Sequence, residues 1–92
     1  MTNLPTHFSL DQNYPNPFNP ATTISFSVPV RSFVTLQVFD ASGREVSRLL
    51  ARELNAGTYL QEWNATGVAS GVYFYRLEAG SFTNVKKLVL LK

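Results

Sequence analysis

Asp40-Ala41-Ser42-Gly43-Arg44-Glu45-Val46-Ser47-Arg48-Leu49-Leu50-Ala51-Arg52-Glu53-Leu54 is the stretch of this 92-residue chain that reads two ways. Val46, Leu49, Leu50 and Leu54 recur at helical spacing, and Ala51 and Glu53 are good helix formers. The four residues before them favour a strand instead. Asp-Ala-Ser-Gly is hairpin-turn chemistry, with Gly43 placed for a positive φ. The reading adopted is a strand over Arg44–Leu49, returning from the turn, and a loop over Leu50–Ala56 that crosses between sheets. With that choice no helix is left in the chain.

Outward from this stretch, period-two alternation dominates. Ile24, Phe26 and Val28 alternate with Thr23, Ser25 and Ser27, and Pro29 ends the run. Val34, Leu36 and Val38 alternate with Thr35, Gln37 and Phe39. Thr58–Asn64 puts Tyr59 and Trp63 on one face. Val72–Glu78, opened by Ser70-Gly71, puts Tyr73, Tyr75 and Leu77 on one face and Val72 and Phe74 on the other. Ala79-Gly80-Ser81 turns the chain into Phe82–Leu91, where Leu88 and Leu90 face the core and Lys87 and Val89 point away. Phe8–Gln12 reads as an early short strand. About seven short strands with turn signals between them describe an all-β fold, an immunoglobulin-like antiparallel β-sandwich. Residues 1–6 read as a flexible lead-in and residues 7–92 as a single domain.

Between the first two strands lies Tyr14-Pro15-Asn16-Pro17-Phe18-Asn19-Pro20, with three of the chain's five prolines in seven residues. Each proline fixes its own φ, lacks an N–H and biases the preceding residue towards extended backbone. The run is expected to be a stiff turn laid on the domain, with Tyr14 and Phe18 as apolar anchors at its ends and with Asn16 and Asn19 capping nearby backbone.

Composition sets the outer limits. A hydrophobic share of 45% and a charged share of 15% suit a globular domain. A net charge of +2 carries no argument for nucleic acid. The chain has no cysteine, hence neither disulfide nor thiolate chemistry. No apolar run approaches the roughly 20 residues of a transmembrane helix.

Chemistry-bearing residues are sparse. His7 is the single histidine and sits beside the lead-in, with no serine and acid expected to converge on it. The carboxylates Asp11, Asp40, Glu45, Glu53, Glu62 and Glu78 fall in turns or on outer faces, and Asp40 is expected to cap its own turn. Calcium at Asp11, Asp40 or Glu78 is the alternative weighed for them, but no acid-rich loop supports it, and no cofactor is expected. Tyr59, Trp63, Tyr73 and Tyr75 suit a sugar-stacking platform or a core, and their period-two spacing favours the core. Phe39, Leu60, Val72 and Phe74 belong to outer faces, where clustering makes an interaction patch. Asn64-Ala65-Thr66 matches a glycosylation acceptor, a pattern common by chance. An enzyme is not expected.

Taken in order, the proline run, the Thr23–Phe26 strand, Val34–Phe39, Asp40–Val46, Ala56–Tyr59, Trp63, Ser70–Leu77 and the tail Lys86-Lys87-Leu88-Val89-Leu90-Leu91-Lys92 resemble the C-terminal sorting domain of the type IX (Por) secretion system of Gram-negative bacteria. The pattern is also similar to the immunoglobulin-like domain of flagellar hook-capping proteins. The resemblance covers Phe8–Lys92. It implies a non-catalytic sorting and attachment module of a larger secreted protein, commonly a hydrolase, that reaches the cell surface through the periplasm. Its implied partners are the outer-membrane secretion machinery and, after processing, surface lipopolysaccharide. Gly71, Val72, Tyr73, Lys86, Lys87 and Lys92 would meet the partner, and Tyr14–Pro20 would brace the N-terminal edge. Lysines on an edge strand also serve simply to block strand addition. The last strand, if exposed, offers weak homodimer pairing or β-augmentation. Two other readings stand beside this one: a carbohydrate-binding module of a glycanase, and a structural spacer or assembly domain.

Overall fold

A computed structural model describes residues 4–92; the part of the expected lead-in over residues 1–3 lies outside the described residues. Seven strands follow in chain order: β1 (Ser9–Leu10), β2 (Ala21–Val28), β3 (Ser32–Asp40), β4 (Glu45–Leu54), β5 (Gly57–Asn64), β6 (Gly71–Ala79) and β7 (Phe82–Leu90). They form two antiparallel sheets, β1-β2-β5 and β4-β3-β6-β7. The expected all-β sandwich is what the chain adopts.

The alternating patterns become the core directly. On β2, Thr22, Ile24, Phe26 and Val28 are buried, while the residues between them are half-exposed. Val34, Leu36 and Val38 of β3 lie opposite Ala79, Leu77 and Tyr75 of β6, all essentially fully buried. Leu88 and Leu90 of β7 continue that face beside Tyr73 and Gly71. Phe26 stacks on Tyr59 within the smaller sheet, and Trp63 meets Tyr73 edge-on across the two sheets. Such ring pairs let a thin sandwich bury much area per residue.

β4 corrects the sequence reading. The strand does not stop at Leu49 with a loop to Ala56; it runs to Leu54, and only Asn55 and Ala56 cross to β5. Two register shifts explain the discrepancy. Leu36 pairs with Leu50 and Gln37 with Arg48, so Leu49 is an extra residue; Val38 pairs with Ser47 and Phe39 with Glu45, so Val46 is another. Bulges of this kind add one unpaired residue and break the alternation. Two of them convert period two into the three-and-four spacing that mimics a helix. The early strand is also shorter than the expected Phe8–Gln12, being only Ser9–Leu10.

Turns follow side-chain chemistry. Asp40 Oδ1 accepts hydrogen bonds from the backbone N–H groups of Ser42 and Arg44 and from the Ser42 hydroxyl, closing the β3–β4 hairpin as expected. Gly43 sits there at φ 89°, a conformation that side chains resist. Asn64 Oδ1 accepts from the N–H and hydroxyl of Thr66, so the acceptor-like triplet is a turn closed by its own side chains.

Candidate functional site

The proline run ties the two sheets together. Tyr14 exchanges both backbone hydrogen bonds with Thr23 of β2, and Phe18 bridges to β7, its N–H donating to Val89 O and its carbonyl accepting from Leu91 N–H. Pro20 O accepts from Ala65 N–H. The three X–Pro bonds at Pro15, Pro17 and Pro20 are cis. Asn16 caps backbone as expected, its Oδ1 accepting from Val89 N–H at 3.0 Å. The paired-anchor expectation needs correction. Phe18 is 2% exposed and packs against Trp63, whereas Tyr14 is 81% exposed and held only through its backbone. The brace also reaches further than the N-terminal edge. With Gln12 donating to Lys87 O, it covers the free edge of β7 from Lys87 to Leu91. Towards Thr83 the same edge has no partner strand among the described residues.

Beneath the run lies a polar knot that the sequence reading missed. Asn13 is 2% exposed; its Nδ2 donates to Thr22 Oγ1 and Pro15 O, and its backbone N–H donates to Tyr75 Oη. Tyr75 donates in turn to Asp11 O at 2.7 Å. Burial pushes the Tyr75 hydroxyl up to about 12, because the phenolate would be stripped of water. Each buried polar atom in this knot finds a partner, as buried polar groups require. A lone Asn in an unpatterned segment gave no periodic signal.

Gly71, Val72 and Tyr73 and the tail come together. Gly71 pairs with Leu90, Val72 with Val89 and Tyr73 with Leu88, and Lys92 N–H donates to Ser70 Oγ. Within the Gly71-Val72-Tyr73 block, only Val72 presents a side chain to solvent, at 41% exposure. Tyr73 is buried and donates its hydroxyl to Ala69 O at 2.6 Å. Tyr59 does the same to Asn55 O, also four residues back. In both cases the ring lies near a glycine two residues earlier, Gly71 or Gly57. Gly-x-Tyr is therefore a repeated corner device that fixes strand starts, and the repetition was there to be seen in the sequence. Lys86 and Lys87 part company. Lys86 lies opposite Tyr75 on the core side, half-buried at the margin, while Lys87 lies opposite Phe74 on the outer face, exposed.

The aromatic side chains divide by face. Trp63, Tyr73 and Tyr75 are core residues, which leaves no sugar-stacking platform among them. Phe39 and Phe74 are cross-strand neighbours on the outer face of the larger sheet. The Arg76 guanidinium lies over the Phe39 ring, 4.7 Å from its centroid, and donates to Gln37 Oε1. Val72 and Val85 extend this patch, while Leu60, 74% exposed, stands apart on the smaller sheet. Asp40 is held down to about 2 by the Ser42 hydroxyl first and the Arg44 N–H next. The carboxylate is thereby engaged in its own turn. His7 touches Thr6 at the exposed start of the chain.

Residues 12–91 match the family model of the secretion system C-terminal sorting domain. No curated protein and no solved structure matches the chain. The matched span runs from Gln12, which reaches Lys87 O, to Leu91, whose N–H closes on Phe18, and so takes in the brace, the Gly-x-Tyr corners and the basic tail. The chain belongs to the family of C-terminal sorting domains that mark proteins for type IX secretion.

Proposed function

We propose that this chain is the non-catalytic sorting tail of a larger secreted protein, read at the outer membrane through the Gly71-Val72-Tyr73 block together with the Lys86–Lys92 tail. The observation that carries this reading is the β6–β7 ladder. Segments 15 or more positions apart pair residue for residue at one corner of the sandwich, with Val72 and Lys87 offering an apolar and a positive contact on the same outer face. The parent is of hydrolase class and goes by way of the periplasm to the surface, where attachment to lipopolysaccharide follows processing; these parts rest on the family resemblance. Weak self-pairing would use the uncovered part of the β7 edge near Thr83.

Export of a periplasmic reporter fused to residues 1–92, in a host that has this secretion route, tests the reading. Release to the surface or medium is expected, and a reporter held in the periplasm rejects it. Truncating Lys86–Lys92 is the wrong discriminator against a structural spacer, because it deletes the buried Leu88 and Leu90 and the seat of Phe18. Val72→Asp and Lys87→Glu are the informative changes, since they alter the outer face and spare the core.

A further inference from the structure

The two sheets have four edges, and three of them are blunted. β1 is two residues long. β4 is bulged twice and carries Arg48, Arg52 and Glu53. β7 is covered from Lys87 to Leu91, which leaves only its first half open. Short strands, bulges, charges and covering segments are the usual means of preventing strand addition. β5 has none of these but the single charge of Glu62, which turns away only a like-charged strand. It pairs with β2 over all eight residues without a register shift and contains neither proline nor Lys nor Arg. Its far side has no partner strand among the described residues.

Which β5 groups face outward follows from β2. Thr23 exchanges both backbone bonds with Tyr14, and Ser25 O accepts from Asp11 N–H, so these residues turn their polar backbone away from β5. Their β5 opposites, Glu62 and Leu60, together with Thr58 opposite Ser27, are the non-hydrogen-bonded members of the β2–β5 ladder. The N–H and C=O groups of these three residues therefore point out of the free edge. Among the described residues only the Glu62 carbonyl is occupied, by the exposed Gln61 Nε2 at 3.1 Å. The three side chains are exposed on the outer face, Leu60 at 74%.

Charge selects the occupant. Glu62 is in no ion pair among the described residues, and β1, β2 and β5 contain no Lys or Arg. A second copy of β5 would therefore offer Glu62 no counter-charge. A strand with a basic residue opposite Glu62 and an apolar one opposite Leu60 satisfies both, and those two residues, being two apart, share one face. Arg52 is exposed and pairs with the buried Val34, so it lies at the core-side margin of β4, which Asn55 and Ala56 join to β5. A cation among the inward-facing residues of an added strand would meet it unfavourably.

We infer that the free edge of β5 takes up an antiparallel strand of another protein, with a Lys or Arg opposite Glu62, a bulky apolar residue opposite Leu60 and uncharged residues between. Backbone bonds to Thr58, Leu60 and Glu62 hold the strand, and its alternate side chains are chosen by the outer face. The inference is independent of the sorting contact proposed above, which lies on the other sheet.

The test titrates the ¹⁵N-labelled 92-residue chain with the blocked heptapeptide Ser-Lys-Thr-Ile-Thr-Thr-Ser and with its analogue carrying Glu in place of Lys. The Lys peptide is expected to shift the amide resonances of Thr58, Leu60 and Glu62 and to bind about fivefold more tightly than the Glu peptide at low salt. Glu62→Lys, at an exposed position, should reverse the preference. Leu60→Pro removes an N–H that the β2 ladder does not use and should abolish uptake of both peptides. Absence of shifts on β5 with either peptide overturns the inference, as does equal binding of the two or a preference that survives Glu62→Lys. Concentration-dependent shifts of Thr58–Glu62 in the chain alone would show that a second copy takes the edge, and would overturn it too.

Discussion

The hydroxyl of Tyr75 accepts a hydrogen bond from the backbone N–H of Asn13 at 2.8 Å, across 62 positions of sequence. The bond pins the segment before the proline run to the centre of the larger sheet. Tyr75→Phe leaves the ring in place but orphans the buried N–H of Asn13 and the carbonyl of Asp11. A loss of about 2 kcal/mol is expected in urea unfolding, from the desolvated groups left without partners.

The same hydroxyl sets an alkaline limit. Its pKa is 10.0 when free and is raised to about 12 in the fold. A raised value means that the folded state holds the proton more tightly, so the stabilisation is whole below pH 10 and fades as pH climbs towards 12. Thermal midpoints should fall over that window, and the fall should be shallower in Tyr75→Phe.

Asp40 governs the acid side. Its pKa is lowered from 3.8 to about 2, so its contribution is present above pH 3.8 and is lost as pH drops through 2. Asp40→Asn should flatten the dependence of the thermal midpoint on pH over this range. Asp40→Ala should lower the midpoint at neutral pH by removing the acceptor that Ser42 and Arg44 share.

Phe18 and Tyr14 should separate cleanly. Phe18→Ala empties a site beside Trp63 and should cost about 3–5 kcal/mol. Tyr14→Ala removes a ring that lies almost wholly in solvent and should change stability by less than about 0.5 kcal/mol. Urea midpoints for the two variants, measured side by side, decide the matter.

Gly71 and Val72 should also separate. Gly71 holds a φ of 154°, a value that side chains rarely adopt. Gly71→Ala should cost about 1–3 kcal/mol through backbone strain. Val72→Asp should leave the unfolding midpoint nearly unchanged while reducing reporter export. Loss of export only in parallel with loss of stability, across both variants, would show that the block shapes the fold and is not read by a partner.

Much of this architecture was legible because a sandwich imposes a two-sided environment. Ile24, Phe26 and Val28, or Tyr73, Tyr75 and Leu77, carry the burial pattern in their spacing alone. Where backbone geometry changes the count, the signal fails. Val46 and Leu49 are inserted residues, and no side-chain property marks them as such. Tyr14 failed differently. Its hydrophobic ring suggested an anchor, but its pairing with Thr23 turns the side chain outward. For the proposed contact site, the motif Gly71-Val72-Tyr73 was readable, but its meeting with Leu88–Leu90 depends on register. That Lys86 and Lys87 face opposite sides, by contrast, was already implied by the alternation over Phe82–Leu91, which turns Lys87 outward and Leu88 to the core.

Phe18 takes its backbone partners from Val89 and Leu91, and Asn16 holds Val89 as well. The front of the chain thus has no finished seat until its last residues are present. A product that ends a few residues early leaves the proline latch open, with Phe18 and Trp63 uncovered. The placement of Phe18 beside Trp63 therefore depends on Val89 and Leu91, and a variant cut before them would lose it.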